Sequence, residues 1–144
     1  MIRMTPEMSD LVNRARQNGT PCILATASTD GVPNAGYRGT MMVFDEGSLA
    51  YRERSELSPL EHIEGNPKAI VLYYDPAQQK GWKFRCTPSV HREGPIFEKV
   101  MAQLAELGLI QGPETTGVAV LLRVDQILTQ FGELLQERVP GLPW

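Results

Sequence analysis

The chain is poor in the residues that build metal sites, nucleophiles and disulfide frameworks: it has two cysteines, Cys22 and Cys86, and two histidines, His62 and His91, in 144 residues. Two cysteines make no disulfide scaffold, so nothing asks for an oxidising compartment. The spacing of these four soft ligands matches no zinc pattern, and neither cysteine has a local context that would activate it as a nucleophile. GxSxG, HExxH, CxxC and both common Gly-rich phosphate loops are absent. No apolar run approaches the length of a membrane span, and the opening MIRMTPEMSD lacks the apolar stretch of an export signal. Basic residues are not in excess either. The net charge of −3 lacks the electrostatic footprint of a nucleic-acid binder. The expectation is a cytoplasmic protein with neither nucleic acid nor membrane as partner.

What is present is globular. Hydrophobic residues at 42% and charged ones at 22% are enough for a packed core. One domain over 1–144 is expected, burying roughly two thirds of its unfolded surface. Thr5-Pro6 places a cap before a proline, and Met8, Leu11, Val12 and Ala15 follow one helical face up to Gly19. Cys22 to Ser28 predicts a strand. Asp30-Gly31 signals a hairpin, and the returning strand should run to about Phe44. Asp45-Glu46-Gly47 turns into a third strand, Ser48 to Arg52, completing an antiparallel meander.

Ser58-Pro59-Leu60-Glu61 reads as a capping box opening a short helix that stops at Gly65-Asn66-Pro67. Ala69 to Tyr74 is almost continuously apolar, which predicts burial on both faces. Trp82 to His91 forms a long strand. A helix after Gly94-Pro95 buries Phe97, Val100, Met101, Leu104 and Ala105. Gly117 to Val124 is the last strong strand, and 125–144 carries no clear pattern. Six strands with peripheral helices give a mainly β, α+β chain forming a small closed or nearly closed antiparallel barrel. A six-stranded barrel is filled by its own side chains, so a ligand site must lie on the outer wall or between two copies. The apolar strand and the exposed-looking Tyr73-Tyr74 pair favour two copies.

Chemistry here would need a cofactor, since the side chains alone offer little. The informative stretch carries Arg38, Gly39, Arg52 and Arg54 on neighbouring strands. Two readings stand: arginines facing solvent, or a guanidinium set for a phosphate, with Gly39 letting the ligand approach the backbone.

That stretch belongs to a larger pattern: Asn66-Pro67, then Ala69-Ile-Val-Leu-Tyr73, Lys83-Phe84-Arg85, Arg92-Glu93-Gly94-Pro95 and Phe97-Glu98-Lys99-Val100. Over about residues 20–125 it resembles the pyridoxamine 5′-phosphate oxidase-like FMN-binding split-barrel family. The resemblance implies a six-stranded antiparallel split β-barrel, a homodimer with two FMN molecules at its interface, and an oxidoreductase acting on a small molecule. It implies the flavin ring along Arg38-Gly39-Thr40-Met41, and the phosphate near Arg52 or Arg54. Ser58 at the helix start either caps the helix or also meets the anion. Tyr51 and Met41 pack on the ring or in the barrel, Lys83 offers a cation to the reduced ring or to solvent, and Trp144 covers the site or docks the tail. A deazaflavin or haem on the same fold, or a dimer that binds FMN without turnover, are the alternatives. Nothing in 130–144 matches the segment that holds substrate in pyridoxamine 5′-phosphate oxidases, so the resemblance reaches fold and cofactor and names no substrate.

Overall fold

The computed structural model describes residues 1–54, 58–111 and 116–144. Thr5 and Pro6 start the first helix, α1 (Pro6–Asn13): the Thr5 hydroxyl accepts from Met8 N at 3.1 Å, and proline sits where no helical donor is needed. The helix ends well before Gly19, yet Ala15 still joins Met8, Leu11 and Val12 in the core. Strands β1 (Cys22–Ala27), β2 (Pro33–Arg38), β3 (Met42–Asp45) and β4 (Ser48–Glu53) follow. Then come α2 (Ser58–Gly65), β5 (Ala69–Asp75), β6 (Lys80–His91), α3 (Pro95–Glu106), β7 (Val118–Thr129) and β8 (Leu134–Glu137). All pairings are antiparallel, in the order β2-β1-β5-β6-β7-β4-β3, with β8 on β7 beyond the end of β4.

The sequence places a single strand from the Asp30-Gly31 turn to Phe44. It breaks instead at 39–41, where Met41 N donates to Arg38 O at 3.2 Å. Its halves lie at opposite edges of the sheet, β2 beside β1 and β3 beside β4. The expected meander is therefore two separate hairpins. With β8 added, the sheet has eight strands rather than six, and it stays open between β2 and β3: a split barrel, mainly β with peripheral helices.

Burial along β5 alternates, which corrects the expectation of a strand covered on both faces. Ala69, Val71 and Tyr73 point inward, while Ile70, Leu72 and Tyr74 face outward and are partly exposed. Tyr73 is fully buried and stacks on Trp82 with ring centroids 6.0 Å apart, so only Tyr74 of the tyrosine pair reaches solvent.

The barrel interior is filled by Leu24, Leu49, Tyr51, Val71, Tyr73, Phe84, Val120 and Leu122, with Leu11 and Val12 of α1 and Leu60 and Ile63 of α2 packed against them. A second cluster lies outside the wall, where Val100, Met101 and Leu104 of α3 cover Met42, Ala50 and Ala119. Phe97 and Ala105 pack against this second cluster while only partly buried. No described helix is long and apolar enough to cross a membrane.

Gly117 opens β7 with φ +91°, and a Cβ there would lie 2.5 Å from the Glu53 carbonyl oxygen. Both the backbone conformation and the close approach require glycine. Gly117→Ala should destabilise the fold by about 1–3 kcal/mol, read as a lower denaturant midpoint at unchanged slope.

Candidate functional site

Strand parity on β4 separates the arginines that the sequence grouped. Alternation sends Tyr51 and Glu53 to the barrel side and Arg52 and Arg54 to the outer side. Arg38, at the end of β2, meets the barrel-side pair: its Nε lies 3.2 Å from Glu53 Oε2, an ion-pair contact without hydrogen-bond alignment, and its guanidinium sits 5.7 Å from the Tyr51 ring centroid. Arg38 Nη1 also donates to Tyr37 O at 2.9 Å. Its charge is thus matched by Glu53 within the protein.

Arg52 and Arg54 instead line a cavity of about 640 Å³ on the outer side, together with Arg16, Thr40 and the stretch Gly108 to Gln111. Arg16 is the residue that sequence reasoning missed. It comes from the turn after α1, and its Nη1 and Nη2 donate to Leu109 O at 3.1 Å and Gly108 O at 3.3 Å. These bonds fix a long side chain that would otherwise be mobile, so its guanidinium is held ready at the cavity wall. Gly39 leaves room for it: a Cβ there would lie 3.2 Å from Arg16 Cδ, close enough to push that side chain aside by a few tenths of an ångström. The bare backbone at Gly39 thus gives way to Arg16.

Thr40 acts on Arg52. Its hydroxyl donates to Arg52 O at 3.2 Å and accepts from Arg52 N at 3.0 Å. With its one proton committed, the hydroxyl positions Arg52 and has no donor left for an anion. The Arg52 side chain is buried at 6% exposure, whereas Arg54 is exposed. Among the described lining residues there is no carboxylate. Arg16 and Arg54 thus bring two guanidinium groups to a wall with no carboxylate among its described residues, a donor set that fits a phosphate or carboxylate.

The remaining candidates are dispersed. Met41 and Tyr51 are buried in the barrel core and present no face to a ligand. Gly39, Thr40 and Met41 form the crossing between β2 and β3, so no strand runs along them. Ser58 begins α2, and its side chain lies outside the described residues. Lys83 is half-buried on the outer face of β6, in cross-strand register with Leu72 and Leu128. Burial pushes the Cys22 thiol up to about 12 and raises Cys86 as well, so neither is a thiolate near neutrality. Burial likewise raises the Tyr51 phenol, opposed by the nearby Arg38 guanidinium.

A family model described as pyridoxamine 5′-phosphate oxidase matches residues 4–131. Among solved structures, HupZ from Group A Streptococcus is 26% identical with a TM-score of 0.75, over 92% of this chain and 98% of that one. HutZ, the haem storage protein from Vibrio cholerae, is 20% identical with a TM-score of 0.65, over 92% and 98%. An FMN-binding protein from Syntrophomonas wolfei subsp. wolfei is 11% identical with a TM-score of 0.59, over 90% and 89%. No curated protein matches the chain.

Should this cavity hold an FMN phosphate, Arg16→Ala and Arg54→Ala would each cost about 1.5–3 kcal/mol of FMN affinity, the worth of a hydrogen bond to a charged group. Titration against riboflavin provides the control: lacking the phosphate, it should respond to neither substitution.

Proposed function

The chain belongs to the pyridoxamine 5′-phosphate oxidase family, and on that premise we propose that it is an FMN-binding oxidoreductase acting on a small molecule. The observation that carries the reading is the convergence of Arg16 and Arg54 on one cavity with no carboxylate in its described lining. FMN, when bound, supplies hydride and electron transfer that this chain's own side chains cannot perform. Arg16 and Arg54 hold the phosphate, and Thr40, bonded to the Arg52 backbone, fixes the strand behind it. Lys83 on the outer sheet face offers a cation that would favour negative charge on a reduced ring. Met41 and Tyr51, committed to the core, are left out of this site.

The working unit in this reading is a homodimer. The outer face of β1, β5 and β6 sets Ile23, Leu72 and Tyr74 outward, an apolar patch that a soluble monomer would leave open. A two-fold pairing on this face creates two equivalent clefts, which enclose a large flat cofactor better than one convex wall does. A second reading is haem: HutZ shares the fold, and the carboxylates of a haem would suit the same guanidinium set.

Two measurements test these readings. The absorption spectrum of the purified protein should show the two flavin bands; a single sharp Soret band would replace FMN by haem. Tyr74→Glu places a charge on the proposed interface. It should move the protein from dimer to monomer in sedimentation and lower FMN affinity with it, whereas a monomer that retains FMN at full affinity would dissociate cofactor binding from the dimer.

A further inference from the structure

The outer sheet face carries a second cationic place, away from the Arg16 cavity. Trp144 lies there with its ring centroid 5.1 Å from Lys68 Nζ and 5.5 Å from the Arg85 guanidinium carbon. The ring separates two cavities. One, of about 250 Å³, opens toward Thr87, Asp125 and Arg138; the other, of about 310 Å³, opens over Ala25, Ala27 and Ile70. Ala25, Ile70 and Arg85 are cross-strand neighbours, so the floor is flat and apolar with a cation at its edge. Arg85 Nη1 donates to Gln126 Oε1 at 2.9 Å, and among the described residues neither Arg85 nor Lys68 meets a carboxylate.

The indole fills this place imperfectly. Its Nε1 is enclosed and has no acceptor, which costs the protein a polar group's hydration. The two cations interact with the ring only through its quadrupole. The segment that carries it is weakly tied. Arg138 is anchored by its N to Asp125 O at 2.8 Å and its Nε to Val124 O at 2.9 Å. Beyond it, the described bonds are local: Leu142 N to Val139 O at 3.2 Å and Gly141 N to Glu137 Oε2 at 3.2 Å. A strap hinged after Arg138 thus presses one aromatic ring onto a flat slot flanked by two unmatched positive charges.

We propose that this slot is a binding site for a planar aromatic carboxylate, and that Trp144 closes it as a stand-in ring which the ligand displaces. The ligand keeps the stacking surface and adds the anionic oxygens that Lys68 and Arg85 lack. None of its residues lines the Arg16 cavity, so the proposal does not rest on the phosphate assignment, although Ala25, Ile70 and Arg85 share the outer face of β1, β5 and β6 with the proposed dimer contact.

2-Naphthoate, titrated calorimetrically, is the probe. Trp144→Ala removes the competing ring and should tighten binding about tenfold, the worth of two exposed cation–π contacts. Lys68→Gln or Arg85→Gln, introduced alongside Trp144→Ala, should each weaken binding about tenfold or more. In the unaltered protein, binding should shift tryptophan emission to the red as Trp144 enters solvent. Unchanged or weaker binding by Trp144→Ala overturns the displacement. Indifference to both Lys68→Gln and Arg85→Gln overturns the site.

Discussion

The fold depends on a tether across its own split. Arg38 ends β2 at one edge of the sheet and Met42 begins β3 at the other, with three residues between them. Four peptide steps reach at most about 14 Å, so the two outermost strands must come within that distance of each other. A sheet whose edges are tied so closely can only curl. No backbone ladder joins β2 to β4. Instead the Arg38–Glu53 ion pair and the Arg38–Tyr51 contact cross the gap. Both side chains of the pair are about 15% exposed at most, so removing either would leave a poorly hydrated charge. The curl then gives the interior to Tyr51, Phe84 and their neighbours, and leaves only the outside for a ligand.

The outer cavity follows from that closure. Once Tyr51 and Glu53 face the seam, alternation turns Arg52 and Arg54 away from it. Helix α3, packed over Met42 and Ala50, ends near them; Gly108, with φ +73°, reverses the chain so that 108–111 runs along the cavity. The carbonyls exposed by this turn then take up Arg16. The helix-end carbonyls of Gln103, Leu104 and Ala105 are met by the backbone of 107–109, and Arg16 satisfies carbonyls of the turn beyond. A single arrangement serves stability and charge placement together.

The sequence disclosed those features whose cause is local. β1, β4, β6 and α3 were legible because their apolar periodicity and their turns act over a few residues. The break at 39–41 was not, because neither Gly39-Thr40 nor its flanks form a strong turn pair; the break is imposed by sheet closure. The inward turn of Tyr73 was hidden by a run of apolar residues in which parity leaves no trace. The exposed Leu134 and Leu135 concealed β8 by the same lack of alternation. Arg16 was out of reach for another reason: its partners lie at Gly108 and Leu109, and nothing near position 16 announces them. Arg38, Arg52 and Arg54 were recognised by type, but which of them share a face was decided by the strand break.

A net charge of −3 conceals how the basic residues are distributed. Arg3, Arg14, Arg38, Lys80, Arg92, Arg123 and Arg138 each face a carboxylate. Among the described residues, Arg16, Arg54, Lys68, Lys83, Arg85 and Lys99 have no such partner. Lys99 lies on the exposed side of α3, where solvent accounts for it. The other five occur at the outer cavity, beside Trp144, or on the sheet face between β5 and β7. Exposed pairs contribute little to stability, so their arrangement matters more for the field they leave behind. By pairing with cations elsewhere, the acidic residues leave most of the unmatched positive charge on the faces with cavities or apolar floor. Apart from Lys99, the cations left without a carboxylate therefore gather on the outer wall of the barrel, where an approaching anion meets attraction.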